Sequence, residues 1–295
     1  MEEYIYGPLH GVIEEKRLIA IKHKSRVLFY YMSKSMFKQF MQYFKPGIYV
    51  FVEVKKQYRL YRDYLVRNVV AIDKILLPNR NKPQIYYDIS IIKSGIKNVV
   101  NQKRNRLFLD FEMSMPPYKN YENFVSEIIQ VGYILTDESG KVIDEYKSYV
   151  KPELFPDISL RTKRFLQIEQ SDVDDGISYQ SFHKVINTLM TQYNPLIYVW
   201  GKNDHIEIKK LNKIHRLYNF AKNVQFINLL SLHKTYFGFK NDIGLFNAYQ
   251  LYYLDYLDKQ KHDAFEDALV TKAIFEGFRD VCNNKMSILT QKNDE

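Results

Sequence analysis

Beyond residue 106 the chain alternates apolar, strand-like segments with amphipathic, helix-like segments, and this alternation limits the fold more than any other feature. The strand-like segments lie at 107–113, 127–135, 142–150, 196–200 and 224–228, and the helix-like segments lie at 179–191, 204–218, 244–254 and 263–281. This order predicts an α/β domain in which helices cover a sheet. No internal repeat of the kind that builds a solenoid interrupts it.

The first 77 residues follow a different pattern, in which short strands are separated by tight polar turns. Strands are predicted at 9–14, 17–22 and 26–32, a helix at about 33–44, and two further strands at 48–56 and 65–76. This order, with the helix between the third and fourth strands, resembles the OB-fold, a small barrel that binds oligonucleotides. An SH3-like barrel is the alternative.

These two patterns predict a chain of two domains. A basic barrel domain occupies residues 1–77, a linker with a helix from about Tyr86 occupies 78–105, an α/β domain occupies 106–282, and a polar tail occupies 283–295. Hydrophobic residues make up 46% of the sequence, which is enough to build real cores. The single cysteine, Cys282, excludes an internal disulfide and a cysteine-rich zinc site.

Positive charge is concentrated in the N-terminal part of the chain. Residues 1–106 hold 21 Lys and Arg against 8 Asp and Glu, whereas residues 107–295 hold 22 against 26. Aromatic residues accompany the basic ones: Tyr30, Tyr31, Phe37, Tyr43, Phe44, Tyr49, Phe51, Tyr58, Tyr61 and Tyr64. Together they suit a surface that attracts phosphates and stacks bases. The alternatives are a solvated basic face around a tyrosine-rich core and a surface for a protein partner.

The sequence also predicts where the protein works. The N-terminus is acidic, Met1-Glu2-Glu3-Tyr4, and lacks the basic and then apolar order of a signal peptide. No apolar run approaches the roughly 20 residues that a membrane helix needs. We therefore expect a cytoplasmic protein without a membrane partner.

Two carboxylates end the first apolar strand of the α/β domain. Asp110 and Glu112 lie two residues apart in Leu107–Glu112, so the pleat of a strand points both side chains to the same side. Two neighbouring acids repel each other unless a cation compensates them, and oxygen ligands of this kind suit Mg²⁺ or Mn²⁺. By itself the pair is also compatible with an ordinary strand that emerges into solvent.

Further candidate residues follow later in the chain. Asp204 lies where a strand passes into a helix, a position that an ordinary N-cap would also explain. His262 and Asp267 lie at the start of the last helix, where Ala264 and Ala268 leave room around the aspartate. A histidine alone at this position would usually be a surface or capping residue.

The order of these elements is a signature. An Asp-x-Glu strand, an aspartate at a strand-to-helix junction and His-x-Ala-x-x-Asp-Ala on a late helix resemble the DEDDh exonucleases, a DnaQ-like family with an RNase H-like fold. The resemblance covers about residues 106–280. Residues 127–132 are similar to the second strand of the family and residues 149–152 to the end of its third. Residues 158–174 resemble the connecting segment of the KapD-like and Eri-like members.

The resemblance implies a mixed five-stranded sheet flanked by helices and a metal-dependent site. Asp110, Glu112, Asp204 and Asp267 would hold two divalent cations, Mg²⁺ or Mn²⁺, and His262 would be the general base. The implied activity is 3′-to-5′ hydrolysis of single-stranded nucleic acid, which releases nucleoside monophosphates from 3′ ends. RNA is favoured slightly over DNA by the likeness to the Eri-like group.

Two departures from the family pattern and one alternative function stay open at this point. Met113-Ser114 follows Glu112 where the family has a small residue, and Met113 could fill the core or pack against a terminal nucleotide. Asn228-Leu229 stands where relatives often have Asp-Leu. The alternative function is a non-catalytic regulatory protein that binds nucleic acid or protein, which the complete five-residue set disfavours.

Overall fold

The computed structural model describes residues 2–119, 122–218, 224–239, 241–254 and 262–289. The chain divides into two compact units, with the division between Gly95 and Ile96. Every helix among these residues is too short or too polar to cross a membrane. The cytoplasmic location stays a prediction.

The first unit is a small β-barrel, as predicted. Its strands are β1 (Glu2–Ile13), β2 (Leu18–His23), β3 (Arg26–Tyr31), β4 (Tyr49–Tyr61) and β5 (Tyr64–Leu77), and helix α1 (Lys34–Phe40) lies between β3 and β4. The strand order is β3-β2-β1-β4-β5, and a parallel pairing of β3 with β5 closes the barrel. Its core is formed by residues such as Ile19, Val50, Val52 and Ile75.

The first strand is longer than the sequence predicted, because it serves two partners. Its beginning pairs with β4, down to Pro8 opposite Tyr49, and its end pairs with β2, where Ile13 is opposite Leu18. The first half of β1 was not predicted as a strand because it contains Gly7 and Pro8, and both residue types are rare in strands.

The segment 78–105, predicted as a linker with a helix, holds an additional strand, and its helix starts later than predicted. Strand β6 (Gln84–Asp88) pairs antiparallel with β5, and helix α2 (Ile89–Val100) begins only after it. Asp88 marks the junction, because its carboxylate accepts a hydrogen bond from the Ser90 amide at 3.0 Å and binds Lys74 on β5 at 2.8 Å. The predicted helix start at Tyr86 was therefore wrong.

The second unit contains the predicted mixed five-stranded sheet flanked by helices. Its strands are β7 (Arg106–Met113), β8 (Ile128–Thr136), β9 (Val142–Tyr149), β10 (Leu196–Val199) and β11 (Phe226–Asn228), in the order β11-β10-β7-β8-β9. β10 runs parallel to β7 and β11, whereas β8 runs antiparallel to β7 and β9. β7 is therefore the central strand.

Helices cover both faces of this sheet. They are α3 (Leu160–Leu166), α4 (Gln170–Asp174), α5 (Tyr179–Tyr193), α6 (Asn203–Ile214), α7 (Leu229–Phe237), α8 (Leu245–Tyr249) and α9 (Ala264–Cys282). The sequence predicted α5 and α9 closely, extended α6 and α8 too far, and missed α3, α4 and α7. On one face, Leu107, Leu109 and Phe111 of β7 share a core cluster with α5 and α6. On the other, Phe108 contacts Phe275 of α9, with ring centroids 5.3 Å apart.

Both departures from the family pattern have structural roles here. Met113 packs against the core cluster of the sheet, so it fills the core. Asn228 is the N-cap of α7, where its side-chain oxygen accepts a hydrogen bond from the Ser231 amide at 2.9 Å.

Candidate active site

The carboxylates of β7 lie on the face of the sheet that α9 covers. Side chains alternate along a strand, so Asp110 and Glu112 share the side of Phe108. Asp110 is opposite Gly132 of β8, and Glu112 is opposite Gln130. Glu112 is only 9% exposed. The sequence argument that placed this pair on one side of the strand is consistent with this geometry.

Asp204 reaches β7 from the helix that follows β10. It is the second residue of α6 and only 4% exposed, and its Oδ1 accepts a hydrogen bond from the Phe111 amide at 3.1 Å. The residue before α6, Lys202, makes no side-chain cap. Asp204 is therefore directed towards the central strand, and the N-cap interpretation does not describe it.

His262 and Asp267 complete the cluster from α9. A carboxylate oxygen of Glu112, a ring nitrogen of His262 and a carboxylate oxygen of Asp267 all lie within 4.8 Å of one another. His262 has a left-handed backbone conformation, with φ of 51°, and the residue that caps α9 is Asp263. The start of α9 thus carries a histidine and an acid to the end of β7.

A close approach between α9 and β8 makes this arrangement possible. A Cβ atom added to Gly132 would lie 2.2 Å from the Phe265 nitrogen and 2.4 Å from the Ala264 carbonyl carbon. Only glycine leaves space for the helix backbone at this point. Gly132 therefore sets the distance between the strands and the residues of α9.

We expect Gly132→Ala to lower the turnover number, kcat, by about 10²-fold, because a displacement of catalytic groups by about 1 Å can cost that much. Circular dichroism should show that the secondary structure is retained. Gly11→Ala is the matched control, since a Cβ there meets no atom within 4 Å. An unchanged kcat in Gly132→Ala would contradict the role assigned to this contact.

A polar network that was not predicted from the sequence fixes the start of α9. The Gln130 amide donates to Asp263 Oδ2 at 3.1 Å and accepts from the Ala264 amide at 3.0 Å. Lys147 of β9 donates to the same Asp263 oxygen at 2.6 Å, and Asp263 Oδ1 accepts from the amides of Phe265 and Glu266. The network connects the residue next to His262 with β8 and β9.

An aromatic contact orients the histidine ring. Phe165 of α3 lies against His262 with ring centroids 4.2 Å apart and an angle of 28° between the planes. Phe165 is 45% exposed, so the stacked pair is accessible to solvent. This contact was not predicted from the sequence, because no helix was expected at α3.

Burial and mutual repulsion dominate the electrostatics of the cluster. Burial, with the nearby charges of Asp267 and Asp204, raises the pKa of Glu112 to about 8. Burial raises the pKa of Asp204 to about 7, although a hydrogen bond from the Phe111 amide opposes the shift. Burial and the charges of Asp204, Asp267 and Glu112 also raise the pKa of Asp110 well above its usual range. Such a set needs positive charge to be ionised at neutral pH.

The donor set fits divalent cations that prefer oxygen ligands. The cluster offers carboxylate oxygens from β7, α6 and α9, which are ligands of the kind that such cations bind. Burial lowers the pKa of His262 from 6.5, so its imidazole is neutral at pH 7 and able to accept a proton.

The metal-free protein should lose stability as the pH rises from about 5 to about 8. The pKa of Glu112 is about 8 in the folded chain against an ordinary value of 4.5, so its protonated form stabilises the fold at low pH and this contribution is lost as the pH rises. Over this pH range we expect the melting temperature, Tm, in EDTA to fall by more than about 3 °C. For a unit of this size that fall corresponds to a loss of about 1 kcal/mol in the free energy of unfolding. Mg²⁺ or Mn²⁺ should restore it. A Tm that is independent of pH in EDTA would contradict the conclusion that these carboxylates form one buried cluster.

The mixed sheet and the acidic cluster at the end of its central strand are the features that the resemblance to exonucleases predicts. Residues 107–275 match the exonuclease family RNase_T, and the chain belongs to this family. It is 33% identical over 171 residues to the probable 3′-5′ exonuclease KapD of Bacillus subtilis (strain 168), a match that covers 58% of this chain and 82% of the relative. The prediction of a 3′-to-5′ exonuclease is thereby confirmed.

Solved structures show the same fold. The nuclease domain of 3′hExo, a DEDDh family member bound to rAMP, is 21% identical with a TM-score of 0.52, and the match covers 64% of this chain and 98% of that one. A 3′-exonuclease solved in 3′-end specific recognition of a histone mRNA stem-loop is 20% identical with a TM-score of 0.51, over 65% of this chain and 68% of that one.

Proposed function

We propose that the protein removes nucleoside monophosphates one at a time from the 3′ end of single-stranded nucleic acid, with RNA favoured over DNA. The observation that carries this proposal is the convergence of Glu112, His262 and Asp267 within 4.8 Å at the end of the central strand. The exonuclease family and the similarity to the probable 3′-5′ exonuclease of Bacillus subtilis support the direction of cleavage.

Asp110, Glu112, Asp204 and Asp267 would hold two divalent cations, Mg²⁺ or Mn²⁺. When bound, such cations supply the positive charge that stabilises the attacking and leaving oxygens of phosphodiester hydrolysis. The protein contributes the placement of these ligands, because β7, α6 and α9 are fixed by the sheet. The amide of Phe111 orients Asp204 at 3.1 Å, so that this carboxylate faces the strand in one conformation.

His262 would accept the proton of the attacking water. Its ring is held by Phe165 on one side, and its backbone adjoins Asp263, which is bonded to Gln130 and Lys147. A neutral imidazole with a pKa below 6.5 accepts a proton at neutral pH and releases it again after the bond is broken.

The basic barrel would hold the substrate outside the acidic site. Carboxylates repel phosphates, whereas the first unit, residues 1–95, holds 17 Lys and Arg against 8 Asp and Glu and provides attraction that depends on counterion release. Because β3 pairs with β5, the strands follow one another around the closed barrel in the order β1-β2-β3-β5-β4, and a helix lies between β3 and β4. This arrangement supports an OB-like rather than an SH3-like barrel.

The activity is tested with RNA and DNA single strands of one sequence, labelled at the 5′ end and incubated with Mg²⁺, Mn²⁺ or EDTA. We expect a ladder of products shortened one nucleotide at a time, no products in EDTA, and faster shortening of RNA. Binding without cleavage under either metal would contradict the proposal and favour a non-catalytic nucleic-acid-binding protein.

A further inference from the structure

Five side chains of the barrel form a surface on which guanidinium groups lie over tyrosine rings. They are Arg17, Tyr31, Arg59, Tyr61 and Arg62, and we call them the arginine–tyrosine patch. The Arg59 guanidinium lies 4.6 Å from the centroid of Tyr31 and 5.0 Å from that of Tyr61. Arg17 lies 5.5 Å from Tyr31, Arg62 lies 5.6 Å from Tyr61, and the two tyrosine centroids are 4.7 Å apart.

The fold brings these residues together from separate parts of the barrel. The parallel pairing that closes the barrel places Tyr31 of β3 opposite Asn68 of β5. Asn68 in turn accepts a hydrogen bond from Arg59 Nε of β4 at 2.9 Å. Arg17, from the turn before β2, donates to the Tyr31 hydroxyl at 2.8 Å. The five residues thus come from β3, β4 and the turns before β2 and β5, and Asn68 of β5 binds Arg59 among them.

The charge of the patch is available to a ligand. Among the described residues, the carboxylates lie beyond ion-pair distance, 4.0 Å, of Arg17, Arg59 and Arg62, whereas Arg67 on the same barrel binds Glu3 at 2.7 Å. Arg59 and Arg62 are exposed. Unneutralised guanidinium groups over aromatic rings offer both a phosphate contact and a flat stacking surface.

The two tyrosines of the patch, Tyr31 and Tyr61, are only partly buried, so part of each ring is accessible. By contrast, Tyr30 and Phe37, which the sequence offered as stacking residues, are buried in the barrel core. The structure therefore selects a small part of the aromatic set as candidates for base contacts.

We propose that the arginine–tyrosine patch binds single-stranded nucleic acid, with bases stacked on Tyr31 and Tyr61 and phosphates held by the three arginines. This inference rests on the proposed function, because the ligand of the patch, single-stranded nucleic acid, is also the proposed substrate. Unpaired bases expose the faces that tyrosine and guanidinium groups stack on, while bases in a duplex cover each other. The patch therefore prefers single strands to duplexes.

Fluorescence anisotropy of the full chain tests this, with a labelled single-stranded oligonucleotide in EDTA so that no cleavage occurs. We expect Arg59→Ala with Arg62→Ala to weaken binding about tenfold and to reduce the slope of log affinity against log salt by about 1.4, or about 0.7 per phosphate contact. Tyr61→Leu should weaken binding about tenfold as well, and Tyr61→Phe should retain it because the stacking face remains.

Matched controls remove the same groups elsewhere on the chain. Arg26→Ala with Arg80→Ala removes two positive charges outside the patch, and Tyr6→Leu removes a tyrosine that is 53% exposed on β1. Each should change the affinity less than about threefold, since neither takes away a direct contact. Circular dichroism of each variant checks the fold.

The proposal is overturned if patch and control variants lose equal affinity, or if Tyr61→Leu binds like wild type. It is also overturned if a duplex, or polyglutamate as a model of an acidic protein partner, binds the wild type as tightly as the single strand does. Cleavage by the wild type in Mg²⁺ is measured separately. If the wild type cleaves and the patch variants bind as tightly as the wild type, only the proposal for the patch is rejected. If binding depends on the patch but no cleavage occurs, only the proposed enzyme function is rejected.

Discussion

Asp110→Asn is expected to reduce kcat by about 10³-fold or more while the chain remains folded. The substitution preserves the size of the side chain on β7 and removes one negative charge from the cluster. Stabilisation of the reacting oxygens by bound cations is worth several kcal/mol, and each 1.36 kcal/mol corresponds to a factor of ten in rate. Initial rates of 3′-end shortening at saturating substrate, in Mg²⁺ and in Mn²⁺, measure the effect.

The control for Asp110→Asn is Asp144→Asn on β9, whose carboxylate accepts a hydrogen bond from the Tyr133 hydroxyl at 2.9 Å. It should leave kcat within about threefold of wild type. The metal-free Tm provides a second readout, because loss of one of several mutually repelling acids should raise it at pH 8. A fully active Asp110→Asn would mean that the cluster at the end of β7 is not where hydrolysis occurs.

His262→Asn is expected to lower kcat by about 10²- to 10⁴-fold, the range usual for a missing general base. Asparagine is suited to this position because it tolerates the left-handed backbone that His262 adopts, with φ of 51°. The amide cannot accept the proton of the attacking water at neutral pH. The carboxylates are unchanged, so cation and nucleic-acid binding should persist, as titration calorimetry with Mn²⁺ and anisotropy can verify.

The pH profile separates a general base from a structural residue. Burial lowers the pKa of His262 from 6.5, so wild-type activity should rise from acidic pH and level off below neutrality. Mn²⁺ occupancy must be kept saturating at each pH. This rise should disappear in His262→Asn, and Phe165→Leu, which removes the stacked ring, should retain it with a smaller loss of kcat. An unchanged profile in His262→Asn would exclude the assigned role.

The sequence predicted the fold class and a set of site residues that the structure places near one another. All five proposed residues lie on the described chain, and the structure brings them to one end of β7, where Glu112, His262 and Asp267 converge. This was possible because the chemistry depends on a few side chains of fixed type and order. Their roles in this chain stay proposals until they are measured.

The supporting contacts could not be read from the sequence, because they join distant segments. Gln130 and Asp263 are 133 positions apart, and Phe165 of α3 contacts His262 from a segment almost 100 residues earlier in the chain. One local pattern, a histidine followed by an aspartate that can cap a helix, could have identified Asp263 from the sequence. It gives no information on the residues that bind Asp263. Gly132 similarly looked like any glycine in a strand until the backbone of α9 was placed against it.

The errors in the fold have similar causes. Strand β6 was read as part of a linker because prolines bound the preceding polar stretch, and only its pairing with β5 gives it a structure. Helices α3 and α4 span 7 and 5 residues, too few for a helical repeat of apolar positions to be recognised. Pairing and packing with distant residues decide such elements.

The most direct test of the account is the identity of the first product. A single strand labelled in its 3′-terminal nucleotide is incubated with the wild-type protein and Mg²⁺ in water enriched in ¹⁸O, and the product is analysed by mass spectrometry. We expect a nucleoside 5′-monophosphate with one ¹⁸O on phosphorus, and we expect it to be absent in EDTA and in Asp110→Asn. Release of a nucleoside without phosphate, of oligonucleotides, or of the same product without metal would contradict it.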